Sequence, residues 1–72
     1  MRRLDSAALF AALDQRRRAD GLTWTALARD TGVSVATVRR LERGGRMEAD
    51  GLLALVGWLG VPVETFVRDV QG

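Results

Sequence analysis

Cysteine and histidine are both absent from this sequence, which excludes disulfide bridges, thiolate metal sites and the imidazole that proton-transfer catalysts most often use. Tyrosine and lysine are missing as well. What remains for chemistry is Ser6, Ser34, several threonines and scattered carboxylates, with no partner suited to activate a hydroxyl. The composition therefore argues against an enzyme, and no cofactor or metal is expected. Long apolar runs are lacking too: none approaches the roughly 20 residues that a membrane-spanning helix needs. The N-terminal stretch MRRLDSAALF runs into AALDQRRRAD, too charged for a cleaved signal peptide. An intracellular, cytoplasmic protein with no membrane partner is the expectation.

The 11 basic residues are all arginine and face nine acids, a formal net charge of +2. Arginine's rigid fork of donors matches phosphate oxygens and guanine edges better than an ammonium does, although a GC-rich coding sequence alone would favour arginine over lysine. Where the arginines sit is thus more informative than how many there are. At 72 residues the chain reads as one domain, 1–72, burying only about 60% of the surface its unfolded form exposes. No repeat, linker, low-complexity segment or strand pattern interrupts it.

A first helix is expected from Asp5 or Ser6, whose short polar side chains suit the N-cap, through the alanine- and leucine-rich stretch that follows. Leu9, Leu13 and Phe10 face inward, Arg16, Arg17 and Arg18 complement the carbonyls of the last turn, and Gly21 is the stop. Thr23 caps a short second helix that ends at Gly32, with Leu27 and Ala28 as its buried edge. Ser34 then caps a third helix running to about Arg43, so the two must turn with almost no loop, and the unit 23–43 reads as a helix-turn-helix. Gly44 and Gly45 end the third helix, glycine entering the left-handed conformation without steric penalty. A fourth helix starts near Glu48 or Ala49 and stops at Gly60, its Leu52, Leu55, Val56 and Leu59 marking a 3.6-residue period. Pro62 opens a final short helix with Phe66 turned to the core. The expected fold is all-α, a compact bundle of about five short helices.

At about 100° per residue, Ser34 and Leu41 of the third helix fall near Val38, while Ala36, Arg39, Arg40 and Arg43 gather opposite and Val35 is exposed at the N-terminal shoulder. One edge packs and the other awaits a partner. The B-DNA major groove admits one helix, whose N-terminal residues reach base edges while later cations and the preceding helix meet phosphates. Helix 35–43 suits that task, with double-stranded DNA as the partner. Arg40 is the candidate for a forked pair of bonds to guanine, and Arg39 either does the same or holds a flanking phosphate. Val35 and Ala36 face bases without hydrogen bonds, against a thymine methyl or as room for close approach. Arg43, Arg46, Thr23, Thr25 and Thr37 are candidates for phosphate. Each of these arginines has a plainer reading as a solvated surface cation, and Glu42 stands four residues before Arg46, the spacing of a helical ion pair.

The stretch GLTWTALARDTGVSVATVRRLERGGR, followed by LLALVGWLGVPVETFV, resembles the lambda-repressor-like, Xre/Cro-type helix-turn-helix family over Gly21–Val67. The resemblance rests on Leu27, Ala28, Gly32, Val33, Ser34, Thr37, Val38, Leu41, Glu42 and Gly44, then Leu52, Leu55, Leu59, Gly60, Val61 and Phe66. It implies a transcriptional regulator, in most members a repressor that binds a two-fold-related operator as a homodimer. By matching position it supports Val35, Ala36 and Arg40 as base-facing, with Thr37, Arg39 and Arg43 near bases or backbone.

The chain departs from that family at Trp24, where many members carry a phosphate-binding glutamine; the indole N–H can donate to a phosphate, or the ring can pack on the third helix or cover a protein partner. Met47 stands where a proline often opens the fourth helix. Trp58 replaces a commonly small residue and either packs under the last helix or belongs to a dimer or partner surface. With no further domain expected after Gly72, a dimer has to use the helical unit itself, around Trp58, Val63 and Val67; the other reading is a DNA-binding monomer. A second functional class is a protein-interaction module, for example an antitoxin, that keeps the fold and binds a protein through Trp24 and Trp58.

Overall fold

The computed structural model describes residues 1–70. In chain order it holds a short strand β1 (Arg2–Leu4), helices α1 (Ser6–Ala19), α2 (Trp24–Thr31) and α3 (Val35–Arg40), a 3₁₀ turn (Leu41–Arg43), helix α4 (Ala49–Leu59), a 3₁₀ helix (Val63–Phe66) and strand β2 (Val67–Asp69). No helix is long and apolar enough to cross a membrane among the described residues.

Local chemistry accounts for most helix boundaries. Asp5 caps α1 by accepting from the Ala8 amide at 3.0 Å, Thr23 caps α2 from the Ala26 amide at 3.0 Å, and Ser34 caps α3 from the Thr37 amide at 3.2 Å. α2 ends on left-handed Gly32 at φ 75°. The reversal into α3 is braced by Thr31, whose hydroxyl donates to the Leu27 carbonyl at 2.9 Å and accepts from the Val33 amide at 3.2 Å. That brace leaves Val33 buried in the core together with Leu9, Leu13, Leu27, Val38, Leu41, Leu55, Val56 and Phe66.

The most extensive packing of α1 is against the 3₁₀ turn that follows α3, so the C-terminal end of α3 is fastened to the first helix through Leu41. Gly45 completes the joint: its amide donates to the Arg40 carbonyl at 3.1 Å, and a Cβ there would lie 3.0 Å from that same oxygen. Gly45→Ala should therefore destabilise the fold by about 1–3 kcal/mol, as overpacking against backbone does, read as a shift in the denaturant midpoint.

Several sequence expectations need correction. The third helix is α-helical only to Arg40 and tightens into 3₁₀ geometry over Leu41–Arg43, a common way for a short helix to close. The last helix is 3₁₀ rather than α, with Pro62 extended at ψ 152° just before it instead of inside its first turn. The chain also holds strands: β1 and β2 pair antiparallel, Arg2 opposite Asp69, Arg3 opposite Arg68 and Leu4 opposite Val67. Three residues per strand are too few to show two-residue alternation. The ribbon arises because the turn at Phe66 brings the chain back beside the start of α1, where the Asp5 amide donates to the Phe66 carbonyl at 2.6 Å. Val35 is half-buried, not exposed, since it lies only about 60° around the helix from Val38. Phe10 and Ala28 are likewise half-buried at the core's margin. The Glu42–Arg46 pair is not formed, because the chain leaves helical geometry at Gly44 and four-residue spacing no longer brings the two together.

Candidate nucleic-acid interface

The arginines divide into two populations. Five are engaged by carboxylates: Arg16 with Asp20 (2.9 Å), Arg17 with Asp14 (2.6 Å), Arg18 with Asp14 (3.2 Å), Arg68 with Asp5 (3.5 Å) and Arg2 with Asp69 (3.9 Å). Asp14 holds two guanidinium groups, and the hydrogen bond from Arg17 is the main reason its carboxyl lies below the ordinary carboxylate range. The triple-arginine end of α1 is thus largely neutralised within its own helix. Arg3, Arg29, Arg39, Arg40, Arg43 and Arg46 have no ion-pair partner among the described residues. Four of these six belong to α3 and the turn and loop that follow it.

Ala36, Arg39, Arg40, Glu42 and Arg43 line one open hollow on the outer side of α3. Ala36 and Arg40 lie almost opposite the buried Val38, at about 160° and 200° around the helix axis, whereas Arg39 lies at about 100°, on a flank. Arg46 stands apart, beyond Gly44 and Gly45, on the rim of a second hollow shared with Arg2, Arg3 and Leu4.

At the head of α2 the Thr23 hydroxyl is occupied as the cap, and Thr25 is exposed. Trp24 is half-buried and stacked on Phe10, ring centroids 5.2 Å apart and 17° from parallel. Two guanidinium groups approach its ring, Arg17 at 4.4 Å and Arg39 at 5.8 Å. Nothing in the local sequence pattern signals this cluster, because its members come from three separate helices.

Thr37 lies on the opposite flank of α3, its hydroxyl accepting from Ser34 at 2.8 Å, in a hollow that it shares with Glu48 and Asp50. Those carboxylates make it a poor neighbour for phosphate. The residues expected around a dimer surface are divided: Val63 and Val67 line a hollow with Leu4 and Leu52, while half-buried Trp58 lies 5.6 Å beneath the Arg16 guanidinium.

A family model described as a helix-turn-helix domain matches residues 8–67, from the first turn of α1 to the start of β2. The chain belongs to the helix-turn-helix domain family. This agrees with its resemblance to the lambda-repressor-like, Xre/Cro-type branch, and α2 and α3, joined at Gly32 with almost no loop, have the geometry of such a pair. No curated protein and no solved structure matches the chain. In this helix-turn-helix domain the unpaired arginines are concentrated on the second helix of the pair and its exit, the element that such folds present to the major groove.

Proposed function

We propose that this helix-turn-helix domain is a sequence-specific DNA-binding transcriptional regulator that acts in the cytoplasm as a repressor, by occluding a promoter. The observation that carries the reading is the separation of the arginines. Carboxylates engage the three of α1 and, in the ribbon, Arg2 and Arg68, whereas Arg39, Arg40, Arg43 and Arg46 stay without acidic partners among the described residues on one helix and its exit.

With α3 in the major groove, Ala36 and Arg40 face bases while half-buried Val35 stays on the core side of the helix start, Arg43 and Arg46 grip phosphate beyond the C-terminal end of the helix, and the head of α2 at Thr23, Trp24 and Thr25 meets the backbone on the other side. Arg39 stands between the two sets. Thr37 is left out, since Ser34 engages its hydroxyl and two carboxylates stand nearby. A homodimer on a two-fold operator would place its half-sites about 34 Å apart. The protein-interaction reading finds less support, because both tryptophans are half-buried with guanidinium groups over their rings.

The test is a salt series of binding to a fluorescent duplex from upstream of the protein's own gene, beside a scrambled duplex. Three arginine–phosphate contacts per protomer, from Arg39, Arg43 and Arg46, would make log affinity fall against log salt with a slope near about −2.7, and the specific duplex should bind at least about a thousandfold tighter. Weak binding to both duplexes, indifferent to salt, would overturn autoregulation and direct attention to a protein partner.

A further inference from the structure

We propose that Trp24 is a positioning residue that draws Arg39 away from the bases and makes it a phosphate clamp, leaving Arg40 to carry base discrimination; this rests on the DNA-binding reading above. Three observations converge on it. First, Arg39 leaves α3 on the flank, about 100° from Val38, whereas Arg40 leaves nearly opposite Val38. A major-groove helix turns the side opposite its core edge to the bases and its flanks to the groove walls.

Second, that flank is turned toward the head of α2. The Arg39 guanidinium lies 5.8 Å from the centroid of the Trp24 ring, and Trp24 is the first residue of α2, the helix end assigned to the DNA backbone. A guanidinium over a ring keeps its N–H edge free in its own plane, so it can still present two parallel donors to a phosphate.

Third, the ring is fixed independently of Arg39. Phe10 stacks against it, and Arg17 lies over it, held in turn by Asp14 at 2.6 Å and by the Leu22 carbonyl at 2.9 Å. Asp14 balances the Arg17 charge, which lessens its repulsion of Arg39. Asp14 is itself committed to Arg17 and Arg18, so Arg39 has the ring and no carboxylate. Ordering the long Arg39 side chain on a fixed ring removes part of its freedom before DNA arrives, which favours one approach direction.

Proton NMR of the free protein tests the contact, and salt-dependent binding to a panel of single-base variants of its site tests the role. The Arg39 side-chain protons should be displaced upfield by the indole ring current, return toward ordinary positions in Trp24→Leu, and remain displaced in Trp24→Phe. Arg39→Ala should make the salt slope shallower by about 0.9 and weaken every duplex of the panel by the same factor. Trp24→Leu should weaken binding uniformly as well, add less to Arg39→Ala than it costs alone, and be rescued by Trp24→Phe. Undisplaced Arg39 protons, or a loss in Arg39→Ala confined to one base position, would overturn the clamp while wild-type DNA binding stands. A wild-type protein that binds no duplex would overturn the DNA reading itself, and the clamp with it.

Discussion

Arg40→Ala is expected to abolish the preference of the protein for its own site while leaving much of its general affinity for DNA. Arg40 is exposed, has no ion-pair partner among the described residues, and projects from α3 beside Ala36 on the side facing away from the core. Alanine is the best helix former, so the thermal midpoint should be unchanged or slightly higher. A forked contact to guanine is worth about 1–3 kcal/mol of discrimination, or roughly 5- to 150-fold per half-site, and a two-fold dimer would lose it twice. The measurement is the ratio of affinities for the cognate duplex and for single-base variants at fixed salt, which should collapse at one base position. Arg40→Lys keeps the charge and loses the fork; it should preserve the salt slope and still lose the discrimination. A uniform loss across all duplexes would instead place Arg40 on a phosphate and leave base reading to the exposed, apolar Ala36.

Much of this arrangement is legible in the sequence, because local rules decide it. Each of Asp5, Thr23 and Ser34 caps the helix that its chemistry predicts, and Gly32 stands in the turn where only a left-handed residue shortens the connection enough. The outer position of Arg40 and the burial of Val38 follow from helical periodicity alone. What periodicity misses depends on which segments meet. The pairs of Arg16, Arg17 and Arg18 with Asp14 and Asp20 stand at legible three- and four-residue spacings, but the same spacing between Glu42 and Arg46 forms no pair, because only the first set lies on continuous helix. Phe10, Trp24, Arg17 and Arg39 converge only after α1, α2 and α3 have packed. The ribbon between residues near the two ends is the extreme case, since its pairing is set by where the turn at Phe66 delivers the chain and not by any propensity of RRL or VRD.

Leu41→Ala is expected to be the most damaging single truncation for both stability and binding. Leu41 is fully buried and begins the 3₁₀ turn on which α1 packs most extensively, so its side chain joins the exit of α3 to the first helix. Removing a fully buried leucine side chain costs about 2–5 kcal/mol, including the cavity left behind. A chain of this length has a total stability of only about 4–11 kcal/mol, and each kilocalorie lost lowers the melting temperature by roughly 4–8 °C. Thermal melting followed by circular dichroism should therefore fall by at least about 10 °C, with part of the population unfolded at 37 °C. Leu41→Met, which conserves volume, should cost less than about 1.5 kcal/mol. The arginines on either side explain why binding suffers too: Arg40 and Arg43 keep their charges in the variant but lose the rigid frame that aims them. A cognate duplex in hundredfold excess over its dissociation constant adds about 2.7 kcal/mol to the folded state. It should therefore restore much of the lost helical signal. A scrambled duplex at the same concentration should restore little, which separates a folding defect at Leu41 from a loss of the reading surface.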